Sequence, residues 1–300
     1  MRETELVDFI RKVASRSGRK AELIASIGDD CAILRPRVKE DFVYTTDLLL
    51  ESRHFELATH SAGDIGHKAL ARSLSDLAAM GSEPVFCLVS LAIPKALAGR
   101  WVKRLYDGLL ALANRYDVAL AGGDTARFDK VVVDVMCCGR APRGKALLRG
   151  GAKPGDRIFV TGALGESAHG FATRQGSAWK RHLRPEPRIE AGLALRKLGT
   201  TACIDISDGL SLDLKRLCAE SGVCAELTGE LPVARGATIH QALHGGEDYE
   251  LLFTVSAGAR LPVTVGGVPI TRIGMITRGS SGEVRFRGRA LAEKGFDHFR

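Results

Sequence analysis

A nine-residue stretch in the second half of the chain decides the fold: Ala202-Cys203-Ile204-Asp205-Ile206-Ser207-Asp208-Gly209-Leu210. Its apolar first half predicts a strand at Ala202–Ile206, and a helix is predicted to follow from Gly209 to Glu220. Asp205 and Asp208 therefore bracket Ser207 at the point where a strand passes into a helix. Ser207 or Asp208 is suited to cap that helix, and the same helix N-terminus is suited to face a phosphate group. The stretch alone leaves both roles open.

Acidic residues stand at similar junctions elsewhere, each between an apolar strand and a glycine or the start of a helix. They occur in Gly28-Asp29-Asp30, Thr45-Thr46-Asp47, Ser75-Asp76 and Gly122-Gly123-Asp124, and a further acidic cluster is Gly245-Gly246-Glu247-Asp248. Any one of them fits an ordinary turn or helix cap. Carboxylates repeated in this way are unfavourable to gather unless cations lie among them, and Mg²⁺ prefers such oxygen ligands. The chain has no Walker A loop and no Gly-x-Gly-x-x-Gly, so these acids are the main candidates for a magnesium and phosphate site.

Three of the acids have neighbours that favour such a role. Thr45 and Thr46 precede Asp47 at the end of a β-branched strand, and hydroxyl and carboxylate oxygens together suit octahedral Mg²⁺. Asp124 follows two glycines, which remove side-chain obstruction around a phosphate. Asp76 lies in a helix predicted from Ala62 to Met80, at the border of the apolar face formed by Leu70, Leu74, Leu77 and Met80.

Length and composition describe a globular protein with room for two domains. Its 300 residues are 45% hydrophobic and 26% charged, and each of two domains of ordinary size is able to bury a core. The formal net charge of +8 permits nucleic-acid binding, but aromatic residues are only 6% and the basic residues are mostly scattered. We therefore expect a soluble enzyme for anionic substrates, with no nucleic-acid partner.

The cysteines and the N-terminus indicate the compartment. The seven cysteines form no Cys-x-x-Cys pair, and Cys137 and Cys138 are adjacent in a predicted strand, where their side chains should point to opposite faces. This pattern favours free thiols in a reducing, cytoplasmic setting. The N-terminus lacks the apolar stretch of a signal peptide, and no run of about 18 apolar residues occurs, so no membrane span is expected.

Strands and helices alternate in both halves of the chain, which predicts two α/β or α+β domains. A Gly-, Pro- and base-rich stretch from Gly139 to Asp156 is the candidate junction, with domains expected at residues 1–138 and 150–300. Strands are predicted at residues 31–34, 42–46, 85–93, 118–121, 131–138, 157–161, 202–206, 224–227 and 251–255. Helices are predicted at residues 5–15, 62–80, 97–116, 165–174, 187–198 and 209–220.

A series of segments, in order along nearly the whole chain, resembles the thiamine-monophosphate kinase family. The segments are Ile27–Ala32, Thr45–Leu49, His54-Phe55, Leu74–Gly81, Gly122–Thr125, Asp205–Leu210 and Gly245–Leu251, followed by the tail Lys294–Phe299. That family belongs with aminoimidazole ribonucleotide synthetase and selenophosphate synthetase, which use ATP and Mg²⁺ in a cleft between dimerised N-terminal domains. The resemblance implies an N-terminal ATP- and Mg²⁺-binding domain with a dimeric β-barrel interface, and a C-terminal α/β domain.

The resemblance also implies roles for particular residues. Several Mg²⁺ ions would be held by Asp30, Thr45, Thr46, Asp47, Asp76, Asp124, Asp205 and Asp208, the last of them beside the phosphates. ATP would meet Gly123, Asp124, Arg149, Ser207 and Tyr106, and thiamine monophosphate would meet His54, Glu247 and Phe296. The implied catalytic residues are Asp47, Asp124, Asp208 and Arg149. Arg149 lies in the basic junction and is suited to neutralise phosphate oxygens, whereas His54 taken alone is equally an ordinary half-buried histidine.

The implied activity is direct, in-line transfer of the γ-phosphoryl group of ATP to thiamine monophosphate by a cytoplasmic homodimer. This reaction is the final step of thiamine diphosphate biosynthesis. Three alternatives remain. One is another ATP- and Mg²⁺-dependent enzyme of the same superfamily, and a second is a metal-dependent phosphatase, which the aspartates alone permit. The third is a nucleic-acid-binding module, whose binding should weaken steeply with salt.

The chain departs from the family pattern in three places. Ser73 stands where the family usually has Asn, and Arg127 follows Gly-Gly-Asp-Thr-Ala. The chain is also short around residues 176–181 and 231–241, in segments expected to be loops that close over substrate. None of these departures removes a metal-binding acid.

Overall fold

The computed structural model describes residues 9–10, 12–14, 23–25, 33–34, 37–228, 230–292 and 294–296. The chain divides into two compact units, the first made of Met1–Leu77 and Glu83–Gly144 and the second of Ala78–Ser82 and Lys145–Arg300. Each unit combines helices with a β-sheet, so the predicted mixed α/β architecture is confirmed. The expected domain limits at residues 138 and 150 remain predictions.

The first unit is built on a four-stranded sheet in the order β3-β6-β4-β5. Its elements are β1 (Leu23–Ala25), β2 (Ile33–Leu34), β3 (Glu40–Leu50), α1 (Ala62–Ala79), β4 (Glu83–Ile93), a 3₁₀ turn (Lys95–Leu97), α2 (Arg100–Arg115), β5 (Ala119–Arg127) and β6 (Val132–Pro142). Strand β6 pairs antiparallel with β3 and β4, whereas β4 and β5 are parallel and connected through α2. Strands β1 and β2 form a separate antiparallel pair.

Helices α1 and α2 pack closely because glycines stand where the two helices meet. A Cβ atom on Gly66 would lie 2.0 Å from the carbonyl oxygen of Leu105, and one on Gly108 would lie 2.0 Å from that of Gly63. Any side chain at these positions would push the helices apart. The apolar face predicted for α1 is confirmed, since Leu70, Leu74 and Leu77 have no exposed surface.

The two faces of the first sheet differ. One face packs under α1, where the Ser73 hydroxyl donates to the Val135 carbonyl at 2.8 Å. The other face exposes apolar side chains, with Tyr44 59% and Leu48 47% exposed. Cys138 packs with Phe42 and Phe86 and Cys137 interacts with Ser73, so the prediction that the two cysteines face opposite sides is confirmed.

The second unit is built on an eight-stranded sheet in the order β14-β13-β9-β12-β7-β10-β8, with β11 paired to β12. Its strands are β7 (Arg157–Thr161), β8 (Thr200–Asp205), β9 (Cys224–Leu227), β10 (Leu251–Val255), β11 (Thr264–Val265), β12 (Val268–Thr277), β13 (Val284–Phe286) and β14 (Arg289–Ala290). Its helices are α3 (Glu166–Thr173), α4 (Gly176–Leu183), α5 (Ile189–Lys197), α6 (Leu210–Ser221) and α7 (Ile239–His244). The strand pairs are antiparallel except for β9 and β13.

The core of the second unit lies between its sheet and α6. Leu210, Leu214 and Leu217 of that helix are fully buried in one cluster with Ile158 and Val160 of β7. The strands predicted at residues 157–161, 224–227 and 251–255 are confirmed, but α4, α7 and the strands β11 to β14 were not predicted. No helix within the described residues is long and apolar enough to cross a membrane.

Candidate functional site

Three of the predicted metal ligands meet between β3 and α1 in the first unit. The Thr45 hydroxyl donates a hydrogen bond to the Asp76 carboxylate, and Arg72 of α1 donates to the Asp47 carboxylate at 3.2 Å. Residues 45 and 47 share a face of β3 because side chains alternate along a strand. Asp47 and Asp76 are also close enough to repel each other electrostatically.

The alternation of β3 directs the Thr46 side chain to the opposite, exposed face of the sheet. There its hydroxyl donates to the carboxylate of Asp134 in β6 at 2.6 Å. The hydroxyl of Thr46 is therefore not grouped with that of Thr45. Asp134 is an acid that the sequence reasoning missed, because it lies within an apolar strand and not at its end. The role of Thr46 as a metal ligand remains a prediction.

The pKa of Asp47 reflects the crowding of acids at this place. The pKa of Asp47 is raised to about 6, because burial and the nearby Asp76 raise it by more than Arg72 lowers it. A cation beside two such carboxylates would favour their charged forms.

The hydroxyl and carboxylate oxygens of Thr45, Asp47 and Asp76 form a donor set that fits Mg²⁺. Within the described ranges, no three His, Cys, Asp or Glu side chains are already grouped around a metal position. Asp30, the remaining acid predicted for this unit besides Asp124, lies outside the described residues.

Helix α1 also contributes basic residues that the sequence reasoning missed. Lys68, Arg72 and Asp76 are spaced by four residues, so they lie on one side of the helix. Lys68 is fully buried and Arg72 contacts Asp47. The spacing of both residues from Asp76 was visible in the sequence and is the signal that would have found them.

Asp124 lies on the edge strand β5, in register with Ser90 of β4. It is exposed, and its carboxylate accepts the backbone N–H of Thr125 at 2.8 Å. A Cβ atom on the preceding Gly123 would lie 1.9 Å from the carbonyl oxygen of Val89, and the φ angle of Gly123 is +152°. Glycine is therefore required at this position by the neighbouring strand itself, whether or not a phosphate binds there.

Two further candidates of the first unit have contrasting surroundings. His54 is half-buried and its Nδ1 accepts the backbone N–H of Leu50 at 2.9 Å, which places the proton of a neutral ring on Nε2. Tyr106 of α2 is only 1% exposed, and burial raises the pKa of its hydroxyl. The substrate contact of His54 and the ATP contact of Tyr106 remain predictions.

In the second unit, candidates that are distant in sequence meet at the end of β8. The backbone N–H of Glu247 donates to the Ser207 carbonyl at 2.7 Å, and that of Phe296 donates to the Asp208 carbonyl at 3.0 Å. Asp205, the last residue of β8, is 3% exposed, whereas Phe296 is 40% exposed. Residues predicted for phosphate, metal and acceptor binding thus lie on adjoining stretches of backbone.

The start of α6 is capped differently from the sequence-based alternative. The N-cap residue is Gly209, which has no side chain to cap the helix, so the hypothesis that Ser207 or Asp208 caps it is wrong. The Asp213 carboxylate instead accepts the backbone N–H groups of Asp208 and Gly209, each at 3.0 Å. Asp213 lies in the first turn of the helix and folds back over its start, a geometry that the sequence did not reveal.

A small charge network surrounds Asp208. Arg216 donates to the carboxylates of Asp208 at 2.6 Å and Asp213 at 2.8 Å. The pKa of Asp213 is raised to about 6, because burial and the nearby Asp208 raise it by more than Arg216 lowers it. Asp208 therefore has a cationic neighbour within its own unit, which the sequence reasoning missed.

The segment Gly245–Glu250 is held firmly on both sides. Asp248 is buried and accepts the backbone N–H groups of Gly165 at 2.6 Å and Ser167 at 3.1 Å, at the start of α3. Burial raises the pKa of Asp248 to about 7, although these two hydrogen bonds lower it. Glu250 is 2% exposed and pairs with Arg181 and Arg188. The Glu247 carboxylate remains partly exposed, with 25% of its side-chain surface accessible.

Arg149 lies on the surface of the second unit, a few residues after Lys145. Its side chain is exposed, and its carbonyl accepts the Ser221 hydroxyl at 3.0 Å. This contact ties its backbone to the end of α6 and leaves the guanidinium group accessible. Its contact with ATP remains a prediction.

Both halves of the chain match known family models. Residues 28–141 match the N-terminal domain of AIR synthase related protein, and residues 153–286 match its C-terminal domain. The thiamine-monophosphate kinase of Salmonella typhimurium is 41% identical over 312 residues, which cover 95% of this chain and 94% of that protein. This chain belongs to the thiamine-monophosphate kinase family. The resemblance inferred from the sequence segments is therefore confirmed.

Solved structures of the family share the fold. The thiamine-monophosphate kinase of Stenotrophomonas maltophilia K279a has a TM-score of 0.86 and 37% identity, covering 97% of this chain and 98% of its own. AaThiL complexed with AMPPCP and TMP has a TM-score of 0.80 and 32% identity, covering 100% of this chain and 99% of its own. The family likeness thus extends over both units of the chain.

Proposed function

We propose that this protein transfers the γ-phosphoryl group of ATP to thiamine monophosphate, giving thiamine diphosphate and ADP. The observation that carries the proposal is the meeting of Glu247 and Phe296 with Ser207 and Asp208 at the end of β8. It joins the residues assigned to the acceptor to those assigned to phosphates. The structure of a relative of similar length, AaThiL complexed with AMPPCP and TMP, supports the proposal, because these ligands resemble ATP and the acceptor.

Phosphoryl transfer requires mainly that the protein position the two substrates and balance their negative charge. A phosphate acceptor has a second pKa of about 6, so its oxygen nucleophile is largely deprotonated at neutral pH and needs no dedicated base. Repulsion between two polyanions is the main obstacle. We propose that Arg149 neutralises phosphate oxygens, that Gly123, Asp124, Ser207 and Tyr106 hold ATP, and that transfer is direct and in line without a phosphoenzyme.

The proposed cofactor is Mg²⁺, several ions of which would screen the charge between the two substrates. We propose that Asp30, Thr45, Thr46, Asp47, Asp76, Asp124, Asp205 and Asp208 hold these ions. The fit of Thr45, Asp47 and Asp76 to a hard cation supports the assignment most directly, since Thr45 already contacts Asp76 and Asp47 is close enough to Asp76 to repel it electrostatically. We also propose a cytoplasmic location, in keeping with a biosynthetic role.

One assay tests the proposed function. Purified protein is given ATP and Mg²⁺ with thiamine monophosphate, thiamine or an aminoimidazole precursor in turn, and products are separated by chromatography. We expect thiamine diphosphate and ADP in equal amounts from the first mixture only. Phosphate release without an acceptor would indicate a metal-dependent phosphatase, and turnover of the aminoimidazole precursor would indicate another enzyme of the superfamily.

We also propose that the protein is a homodimer that pairs the exposed faces of two first-unit sheets. That face carries Tyr44 and Leu48, both largely exposed, beside half-buried Phe42, Leu88 and Met136. An apolar face of this kind is typical of an interface between subunits. Light scattering at micromolar concentration should give about twice the 32.2 kDa mass of the chain.

Matched variants locate the proposed interface. Leu48→Lys should shift the mass toward that of a monomer, because it places a charge on the apolar face. Val38→Lys is the control, since Val38 is 92% exposed in the turn before β3. A monomeric mass for active, unmodified enzyme would refute the dimer.

Phe296→Ala should weaken the acceptor more than ATP. Phe296 is 40% exposed beside Asp208, so its ring is accessible for stacking on a heterocycle. Stacking on an aromatic side chain contributes about 1–3 kcal/mol, which corresponds to a rise of roughly five- to a hundredfold in the KM for thiamine monophosphate. Steady-state kinetics with each substrate varied in turn measure the effect, and Phe128→Ala at an exposed turn is the control. Equal rises in both KM values with a lower melting temperature would assign Phe296 to the scaffold.

A further inference from the structure

We propose that His182 is a positioning residue that holds the Glu247 carboxylate in place for the acceptor. The inference rests on the proposed function, because it deepens the role given there to Glu247. His182 lies in α4, and its Nδ1 is 3.4 Å from Oε2 of Glu247 and 2.9 Å from the hydroxyl oxygen of Ser167. His182 was not among the site residues predicted from the sequence.

The orientation of the His182 ring is fixed by aromatic neighbours. It stacks on Trp179, with ring centroids 5.1 Å apart and an angle of 12° between the planes. Phe171 of α3 lies against it with a centroid distance of 5.2 Å. The ring is also buried, with 4% of the residue exposed. A ring enclosed in this way presents Nδ1 in a single direction, toward Ser167 and Glu247.

Helix α4 is itself anchored to the segment that carries Glu247. Arg181, the residue before His182, donates to the Asp248 carbonyl at 3.0 Å and to the Glu250 carboxylate at 3.1 Å. The short segment around residues 176–181, which the sequence presented as a loop, is thus a helix tied to Gly245–Glu250. Two successive side chains of α4 therefore contact this one segment.

The backbone of Glu247 is fixed, so the direction of its carboxylate depends on side-chain contacts. Its φ angle is +65°, a left-handed conformation that non-glycine residues adopt infrequently. Its N–H is held by Ser207, and a Cβ on Gly246 would lie 2.7 Å from the Ser207 carbonyl oxygen. A glutamate side chain has three further torsions, and an unrestrained carboxylate would sample several directions.

A hydrogen-bond donor at Nδ1 would restrict these directions. The neighbouring carboxylate favours the imidazole form that carries its proton on Nδ1, which donates toward Ser167 Oγ and Glu247 Oε2. The carboxylate is then held in one direction by the protein, which fixes how it meets an amino group of the ligand. Phe171, which contacts His182 and is 55% exposed, offers an apolar surface nearby. The ligand chemistry that suits this arrangement is an amino-substituted, cationic heterocycle.

Two substitutions of His182 separate positioning from packing. His182→Phe keeps the aromatic packing against Trp179 and Phe171 but removes the donor. His182→Asn removes the stacking but keeps an N–H donor close to the position of Nδ1. We expect His182→Phe to raise the KM for thiamine monophosphate about tenfold, with the KM for ATP unchanged, because the Nδ1 contact with the charged Glu247 carboxylate is lost. His182→Asn should keep the KM for thiamine monophosphate within about threefold of the original, even with a lower melting temperature.

The control variants complete the test. His169→Asn, in α3, should leave both KM values unchanged. When His182→Phe is added to Glu247→Gln, the KM for thiamine monophosphate should rise little further, because the two residues act through one contact. A purely structural role predicts the reverse order, with His182→Asn worse than His182→Phe and both substrates affected, and that result would overturn the proposal. The proposal for His182 is also overturned if the unmodified enzyme is active and His182→Phe leaves the KM for thiamine monophosphate unchanged. If the unmodified enzyme is inactive toward thiamine monophosphate, the proposed function itself is refuted.

Discussion

Asp47→Asn is expected to abolish turnover while leaving the fold intact. The side chain keeps its size and its capacity to accept a hydrogen bond from Arg72, but it loses the negative charge that the proposed Mg²⁺ requires. Changes to groups that only support a metal ligand reduce activity by about 10- to 100-fold, so loss of a ligand should reduce kcat/KM for ATP by at least roughly a hundredfold. Steady-state kinetics at several Mg²⁺ concentrations measure this effect.

The melting temperature of Asp47→Asn should not fall. Burial raises the folded-state pKa of Asp47 to about 6, above its ordinary value. The charged form of such a carboxyl is less favourable in the folded protein than in the unfolded chain. The folded protein therefore loses stability as the pH rises from the carboxyl's pKa in the unfolded chain to its higher pKa in the folded protein. The neutral amide removes this unfavourable term at neutral pH. Asp129→Asn, at an exposed position between β5 and β6, is the matched control. Near-normal activity with unchanged melting would contradict the assignment of Asp47 as a ligand.

The sequence predicted the elements that have a regular apolar pattern. Strands β7, β9 and β10 have the predicted bounds, and α1 lies within one residue of its predicted end. Strand β12 was missed because Pro269 and Gly274 interrupt its pattern, although Pro269 is accommodated in pairing with β11 and Gly274 in pairing with β7. Helix α4 was missed because Gly176 and a run of basic residues resemble a surface turn.

The grouping of site residues was predictable only in part. The acids at strand ends were visible one by one, and the resemblance assigned them to common sites. Their actual neighbours depend on contacts between distant segments, such as the backbone bond from Phe296 to Asp208. The contacts of Arg216 with Asp208 and of His182 with Glu247 join residues 8 and 65 positions apart in sequence, so no local pattern identifies them.

Glu250→Gln is expected to destabilise the second unit strongly. Glu250 is 2% exposed, and its carboxylate accepts hydrogen bonds from Thr161 at 2.6 Å, Arg181 at 3.1 Å and Arg188 at 2.8 Å. Burial lowers the pKa of Arg181 and Glu250 raises it, so the carboxylate is what makes the buried guanidinium charge tolerable. Gln has a similar shape but no charge, and both arginine side chains are more than four-fifths buried.

Breaking a buried ion pair by removing one partner destabilises a protein by about 3–5 kcal/mol, because the remaining charge stays buried without compensation. We expect a decrease of that size in the free energy of unfolding, measured by urea denaturation at pH 7. Glu283→Gln is the matched control, because its partner Arg285 is 54% exposed and water screens an exposed pair. A loss below about 1 kcal/mol for Glu250→Gln would mean that water reaches the two arginines, since only hydration of their charges could replace the carboxylate.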